Sequence, residues 1–225
     1  MTTPALARRC LAEAVATFAL VFAGCGAIVV DHERDGALGS TGTAAAFGLV
    51  IMVMVYATGH VSGAHINPAV TLGFSITRHF PARDAALYVP AQLAGAAAGA
   101  AVLRLLWHDS PAHLGATLPT IGAGGALVYE IVLTAFLMFV IMAVATDTRA
   151  SGAAAAIAIG GTVALGALVG GGVTGASMNP ARSFGPALLA SEWRDFWIYL
   201  VGPSIGAMLG ATTYQLLREP ARPGA

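Results

Sequence analysis

The sequence predicts an all-α polytopic membrane protein: six transmembrane helices plus two re-entrant half-helices, arranged as an inverted repeat. Three observations carry that expectation. The 225 residues are 57% hydrophobic and only 10% charged, with a mean hydropathy of +0.76, far from the roughly 25% charge of soluble domains. Six apolar windows, near 8–30, 40–59, 84–107, 122–145, 152–170 and 196–217, are each about 20 residues long, enough to cross a hydrocarbon core ~30 Å thick. Finally, Asn67-Pro68-Ala69 returns as Asn179-Pro180-Ala181, each copy in a Gly/Ser/Thr-rich break between apolar stretches.

The first span follows Arg8-Arg9. A basic pair before an apolar run has the outline of a cleavable leader, but Glu13 interrupts it, so the span is expected to be retained. Cys10 and Cys25 lie in this span without metal-ligand spacing and read as small apolar packers. The second span runs into a break at 59–66, and Asn67-Pro68 then announces a helix: Asn is a favoured N-cap and Pro a favoured first residue. The apolar run from Val70 stops at Thr77, before Arg78. A helix of about 10 residues is ~15 Å long, half the hydrocarbon thickness. The third span carries Ala94-Gly95-Ala96-Ala97-Ala98-Gly99-Ala100, a run of small residues that suits close helix packing in a bilayer. The fourth carries Glu130 as Glu13 marks the first, and after the fifth the pattern repeats: a break at 170–178, Asn179-Pro180, and a run from Ser183 that stops at Ala190. In the sixth span, Tyr199 to Ala211 resembles Tyr88 to Ala100.

The chain therefore reads as one domain over 1–225, with halves near 1–112 and 113–225. An odd number of spans per half puts the halves in opposite orientations. Two half-helices entering from opposite faces would meet N-terminus to N-terminus near the midplane. Non-helical backbone at that depth is tolerated only when buried in protein or lining water, so both breaks are expected to line a pore with their carbonyls. With the N-terminus inside, Arg8, Arg9, Arg78, Arg83, Arg149, Arg218 and Arg222 fall on the inner side, against Arg34, Arg104 and Arg194 outside. Both termini are thus expected to be cytoplasmic, in the plasma (inner) membrane. Formal charge is zero, which gives no reason to expect nucleic-acid binding.

The motif residues imply chemistry. As N-caps, Asn67 and Asn179 use their side-chain oxygens on their own helices, leaving their amide N–H groups to donate to a passing solute. The helix N-termini add partial positive charge that disfavours cations and protons. Arg182 has Val70 as its counterpart in the first half, and a lone intramembrane Arg is functional by default. Glu13 and Glu130 admit two readings: carboxylates that pin loop backbone, or proton carriers of a coupled transporter. Their symmetric placement favours the first. His60 and His65 lie in the first break without companion ligands and read as loop braces. No nucleophile elbow, phosphate loop or metal-ligand cluster is visible, so neither enzymatic activity nor a cofactor nor a bound metal is expected.

The stretches Ser62-Gly63-Ala64-His65-Ile66-Asn67-Pro68-Ala69-Val70-Thr71 and Gly175 to Gly185 resemble the paired motifs of the aquaporin (major intrinsic protein) family. The resemblance runs from Glu13 to Gly210. It implies a pore in each subunit, a homotetramer, and an aromatic/arginine constriction outside the Asn-Pro-Ala zone, formed here by Phe47, Ala167, Ala176 and Arg182. Strict water channels of the family carry His where this chain has Ala167, and glycerol facilitators carry Asp where it has Ser183. With Ala187, Tyr199 and Leu200, the mixture is similar to the nodulin-26-like proteins and their bacterial relatives, which are associated with glycerol and uncharged metalloid acids. The expectation is a passive channel for water and small uncharged solutes such as glycerol or arsenite that excludes protons and ions. The alternatives are a strictly water-selective aquaporin and a proton-coupled secondary transporter using Glu13 or Glu130.

Overall fold

A computed structural model of the chain describes residues 4–107, 112–147, 149–150 and 154–218. Arg222 and positions 152 and 153 of the expected fifth span lie outside the described residues. The first span is continuous from Leu6 to Glu33: α1 (Leu6–Leu20), a π-turn (Val21–Cys25) and α2 (Gly26–Glu33). The other elements are α3 (Gly39–Ser62), the half-helix α4 (Pro68–Ile76), α5 (Ala82–Leu106), a 3₁₀ turn (His113–Gly115), α6 (Ala123–Thr146), α7 (Ala155–Thr174), the half-helix α8 (Pro180–Ala190) and α9 (Phe196–Leu217). Six helices are long and apolar enough to cross a membrane. Leu11, Leu49, Val53, Val128, Val132 and Leu209 stand exposed on their outer faces, as a surface that meets hydrocarbon requires.

The packing repeats with the sequence. Within each half the first span packs on the third, α1 on α5 and α6 on α9, while α3 and α7 join the halves. Each half-helix packs chiefly on the third span of the other half, α4 on α9 and α8 on α5. These crossings depend on small residues. A Cβ on Gly95 would collide with the Ala14 carbonyl, and one on its counterpart Gly206 with the Ile131 carbonyl, so α1/α5 and α6/α9 meet backbone to backbone.

The breaks are shorter than their composition suggests. Residues 59–62 and 170–174 remain helical despite Gly59 and Gly170–Gly172, leaving only 63–66 and 175–178 non-helical. In water such glycines would fray a helix end, but a bilayer supplies no competing hydrogen-bond partner. Each helix instead stops at a glycine in the left-handed region, Gly63 at φ 86° and Gly175 at φ 83°.

Candidate functional site

Asn67 and Asn179 start their half-helices in the same backbone conformation, φ −156° in both, with Pro at the first helical position. The Asn67 Oδ1 accepts the Ala69 N–H at 2.9 Å, and the Asn179 Oδ1 accepts the Ala181 and Arg182 N–H groups at 3.0 and 3.3 Å. The amide nitrogens cross between the halves. Asn67 Nδ2 donates to the Met178 carbonyl at 2.7 Å and Asn179 Nδ2 to the Ile66 carbonyl at 2.9 Å. The expectation that both amides stay free is therefore corrected. One N–H of each ties the two loops together, because the loop carbonyls meet there across the midplane. A primary amide has a second N–H, and both Asn residues line the cavity between the half-helices.

Behind the loops sit two buried carboxylates. Glu13 accepts the Ser62 hydroxyl (2.7 Å), the His65 N–H (2.9 Å), the Ile66 N–H (2.6 Å) and the Gln92 amide (2.8 Å). Glu130 accepts the Thr174 hydroxyl (2.7 Å) and the Ser177 and Met178 N–H groups (both 2.9 Å). The hydroxyls of Tyr88 and Tyr199 reach the Ser62 and Thr174 carbonyls at 2.8 and 2.7 Å, closing the preceding helix ends. Neither Glu lines the pore. Their donors hold the loop in an unfavourable conformation: Ala64, Ile66, Ala176 and Met178 all have φ between +43° and +55°, each costing of order 1 kcal/mol. With the amides turned back to the carboxylates, the carbonyls of Gly63, Ala64, His65, Gly175, Ala176 and Ser177 receive no hydrogen bond from a described residue. They are left for whatever occupies the lumen.

The two halves back their loops differently. His65 is buried, its Nδ1 3.1 Å from the Thr71 hydroxyl and its ring packed on Phe74, Phe80 and Tyr88. In the second half a hydroxyl chain stands there: Thr117 donates to Ser183 at 2.9 Å, and Ser183 meets Ser177 at 2.6 Å. His60 is corrected. It lies in the last turn of α3, is exposed, and makes no hydrogen bond with a described residue, so it braces no loop. Its turn stays helical and does not join the loop.

Two cavities run through the bundle. An inner one of ≈ 60 Å³ passes the Asn pair, and an outer vestibule of ≈ 340 Å³ opens near Asp31, Ser40 and Thr43. Four residues line both: Phe47, Ala167, Ala176 and Arg182. Arg182 is 2% exposed. Its Nη1 donates to the Gly115 carbonyl at 2.7 Å, its guanidinium lies 4.8 Å from the Phe47 ring centre, and its Nε has no partner among the described residues. The Arg182–Gly115 bond was not legible in the sequence, since no motif marks the 3₁₀ turn that supplies it.

A narrow lumen with one cation at its mouth, two helix N-termini at its centre and bare carbonyls along one wall defines a membrane channel for uncharged hydrogen-bonding molecules. The chain belongs to the major intrinsic protein family, whose model matches residues 1–214. It is 54% identical over 208 residues to aquaporin NIP1-4 of Oryza sativa subsp. japonica, covering 92% of this chain and 76% of that protein. It is 46% identical over 216 residues to nodulin-26 of Glycine max, covering 96% and 80%. The X-ray structure of the aquaglyceroporin from Plasmodium falciparum superposes with a TM-score of 0.86 at 27% identity, covering 93% of this chain and 96% of that one.

Proposed function

We propose that this chain is a passive channel whose outer constriction, Phe47, Ala167, Ala176 and Arg182, admits uncharged solutes larger than water, such as glycerol or a neutral metalloid acid like arsenite, and rejects protons and ions. That it is an integral membrane channel for water and small neutral solutes, and not an enzyme, follows from its family. The finer reading rests on one observation: two of the four residues common to the inner and outer cavities are alanines. Arg182 and the loop carbonyls offer hydrogen bonds to hydroxyl groups on one side, while Phe47, Ala167 and Ala176 offer an apolar wall to a carbon or metalloid body. A solved structure similar to this chain is that of an aquaglyceroporin, which supports a pore for solutes larger than water.

The transporter alternative is less well supported. A proton carrier needs access to the lumen and a free oxygen, whereas Glu13 and Glu130 line neither cavity and each of their oxygens accepts a hydrogen bond. Stopped-flow light scattering on proteoliposomes with water, glycerol and arsenite tests the proposal. Flux should be linear in solute concentration and indifferent to a pH gradient. Ala167→His should cut glycerol and arsenite flux by about tenfold and water flux much less, since imidazole fills space that one or two methylenes decide. Equal loss for all three, or no change, sinks the assignment.

The inner-side arginines support cytoplasmic termini; the plasma (inner) membrane and a homotetramer are what the family resemblance implies. Protease access to a C-terminal tag in oriented vesicles tests the termini, and chemical crosslinking in membranes the tetramer.

A further inference from the structure

We propose that the π-turn of the first span is a specificity-determining element of this pore: Gly24 sets how far the Phe47 ring withdraws from the lumen, and so the largest uncharged solute that passes Arg182. The inference rests on the constriction proposed above. The Phe47 ring is held between two surfaces. On one side is the Arg182 guanidinium, 4.8 Å from the ring centre. On the other is Gly24, where a Cβ would stand within 2.9 Å of three ring atoms, Cδ1, Cε1 and Cζ. Carbon atoms in contact sit about 3.5–4.0 Å apart. A methyl group at position 24 therefore forces the ring to move.

The open space that the ring borders is the lumen. The ring's helix, α3, cannot retreat toward α7, because the next residue, Gly48, already meets it: a Cβ there would lie 2.6 Å from both the Ala164 Cβ and the Gly160 carbonyl oxygen. The displaced ring swings toward Arg182 and the lumen, which Phe47 lines in both cavities.

The following residue, Cys25, touches the other side of the same filter. It packs on Gly115, where a Cβ would stand 2.9 Å from the Cys25 Cβ, and the Gly115 carbonyl holds Arg182. Consecutive residues of the turn thus meet both groups that position the guanidinium. Such single π-turns concentrate at functional sites. In the register that pairs Glu13 with Glu130, Gly24 corresponds to Ile141, which lies in the unbroken helix α6 and lines the lumen with its side chain. The first half has exchanged that side chain for a recess.

The test measures water, glycerol and erythritol permeability of Gly24→Ala, Phe47→Leu and the double variant in proteoliposomes, with Ala167→His alongside. Gly24→Ala should lower glycerol permeability by about tenfold and water by less than about twofold. Phe47→Leu should raise erythritol entry, and the double variant should restore glycerol flux to the native level or above, because the ring atoms that clash are gone. An unchanged glycerol-to-water ratio in Gly24→Ala, or a loss that persists in the double variant, overturns the proposal. If Gly24→Ala alone does not fold, the double variant decides: a folded, glycerol-permeable double supports the recess, and an unfolded one refutes it. Ala167→His separates the two readings. Its effect without one from Gly24→Ala removes the recess and keeps the constriction, and the reverse removes Ala167 from the filter and keeps the recess.

Discussion

At the scale of single residues, the pore depends on acceptors placed behind it. Each oxygen of Glu13 and of Glu130 receives at least one backbone N–H: His65 and Ile66 on Glu13, Ser177 and Met178 on Glu130. A glutamine cannot substitute, because whichever way its amide is turned, an NH2 group faces a loop N–H. Glu13→Gln and Glu130→Gln should each cost about 2–3 kcal/mol, the penalty of a charge-assisted hydrogen bond lost with a donor left buried. The readout is the thermal unfolding midpoint in detergent. A proton carrier would respond differently, keeping its stability and losing only a pH-dependent flux. Two native-like midpoints would restore the transporter reading. The symmetric spacing of the two carboxylates favours the loop-bracing role, and each does accept loop N–H groups. The partnership of Asn67 with Met178 was not legible in the sequence, because it exists only once the halves have docked.

Among the elements, the helices were readable wherever a local pattern specifies them. Asn-Pro-Ala marks the first residue of both half-helices, and Arg78 and Ser191 follow their apolar runs within two residues of where the helices end. What escaped notice depends on tertiary contact or solvent. The π-turn at Val21–Cys25 has no sequence signature, and the glycine-rich ends of α3 and α7 read as loop although they are helix. Element ends also carry a testable tie. Asp147, just past α6, accepts the Arg149 side chain at 2.7 and 3.0 Å, the Arg149 N–H at 3.0 Å and the Tyr214 hydroxyl of α9 at 2.9 Å. The Arg149 guanidinium first, and then its backbone N–H, hold this carboxyl well below its ordinary value of 3.8. Because the folded group is more acidic than the unfolded one, its stabilisation is complete above the unfolded value and fades as pH falls through it toward the folded one. Asp147→Asn should therefore unfold at a lower temperature than the native chain near pH 7, with the gap closing below about pH 4. A gap that stays constant with pH would mean the ion pair contributes nothing.

The whole molecule is a symmetric scaffold whose proposed filter is asymmetric. The motif register pairs the proposed constriction with residues of the other half-repeat: Phe47 with Ile159, Ala167 with Val55, Ala176 with Ala64 and Arg182 with Val70. All eight line the inner cavity. The counterpart set is wholly aliphatic, so the two sets differ chiefly in a single charge. That charge can be removed by giving position 182 the side chain its counterpart already has. Arg182→Val leaves the buried Gly115 carbonyl unpaired, a loss of about 1–3 kcal/mol, so the thermal midpoint of the variant is read before its flux. Neutral-solute flux should be retained or should rise, since the lumen widens. Proton leak should increase on the order of tenfold or more, because a full charge close to the path outweighs the partial charges at the two helix N-termini. A pH-sensitive dye sealed in liposomes under a potassium diffusion potential measures the leak, with glycerol uptake recorded in parallel. An unchanged leak would assign charge exclusion to the paired Asn helices, and Arg182 would then serve only to orient solute hydroxyls.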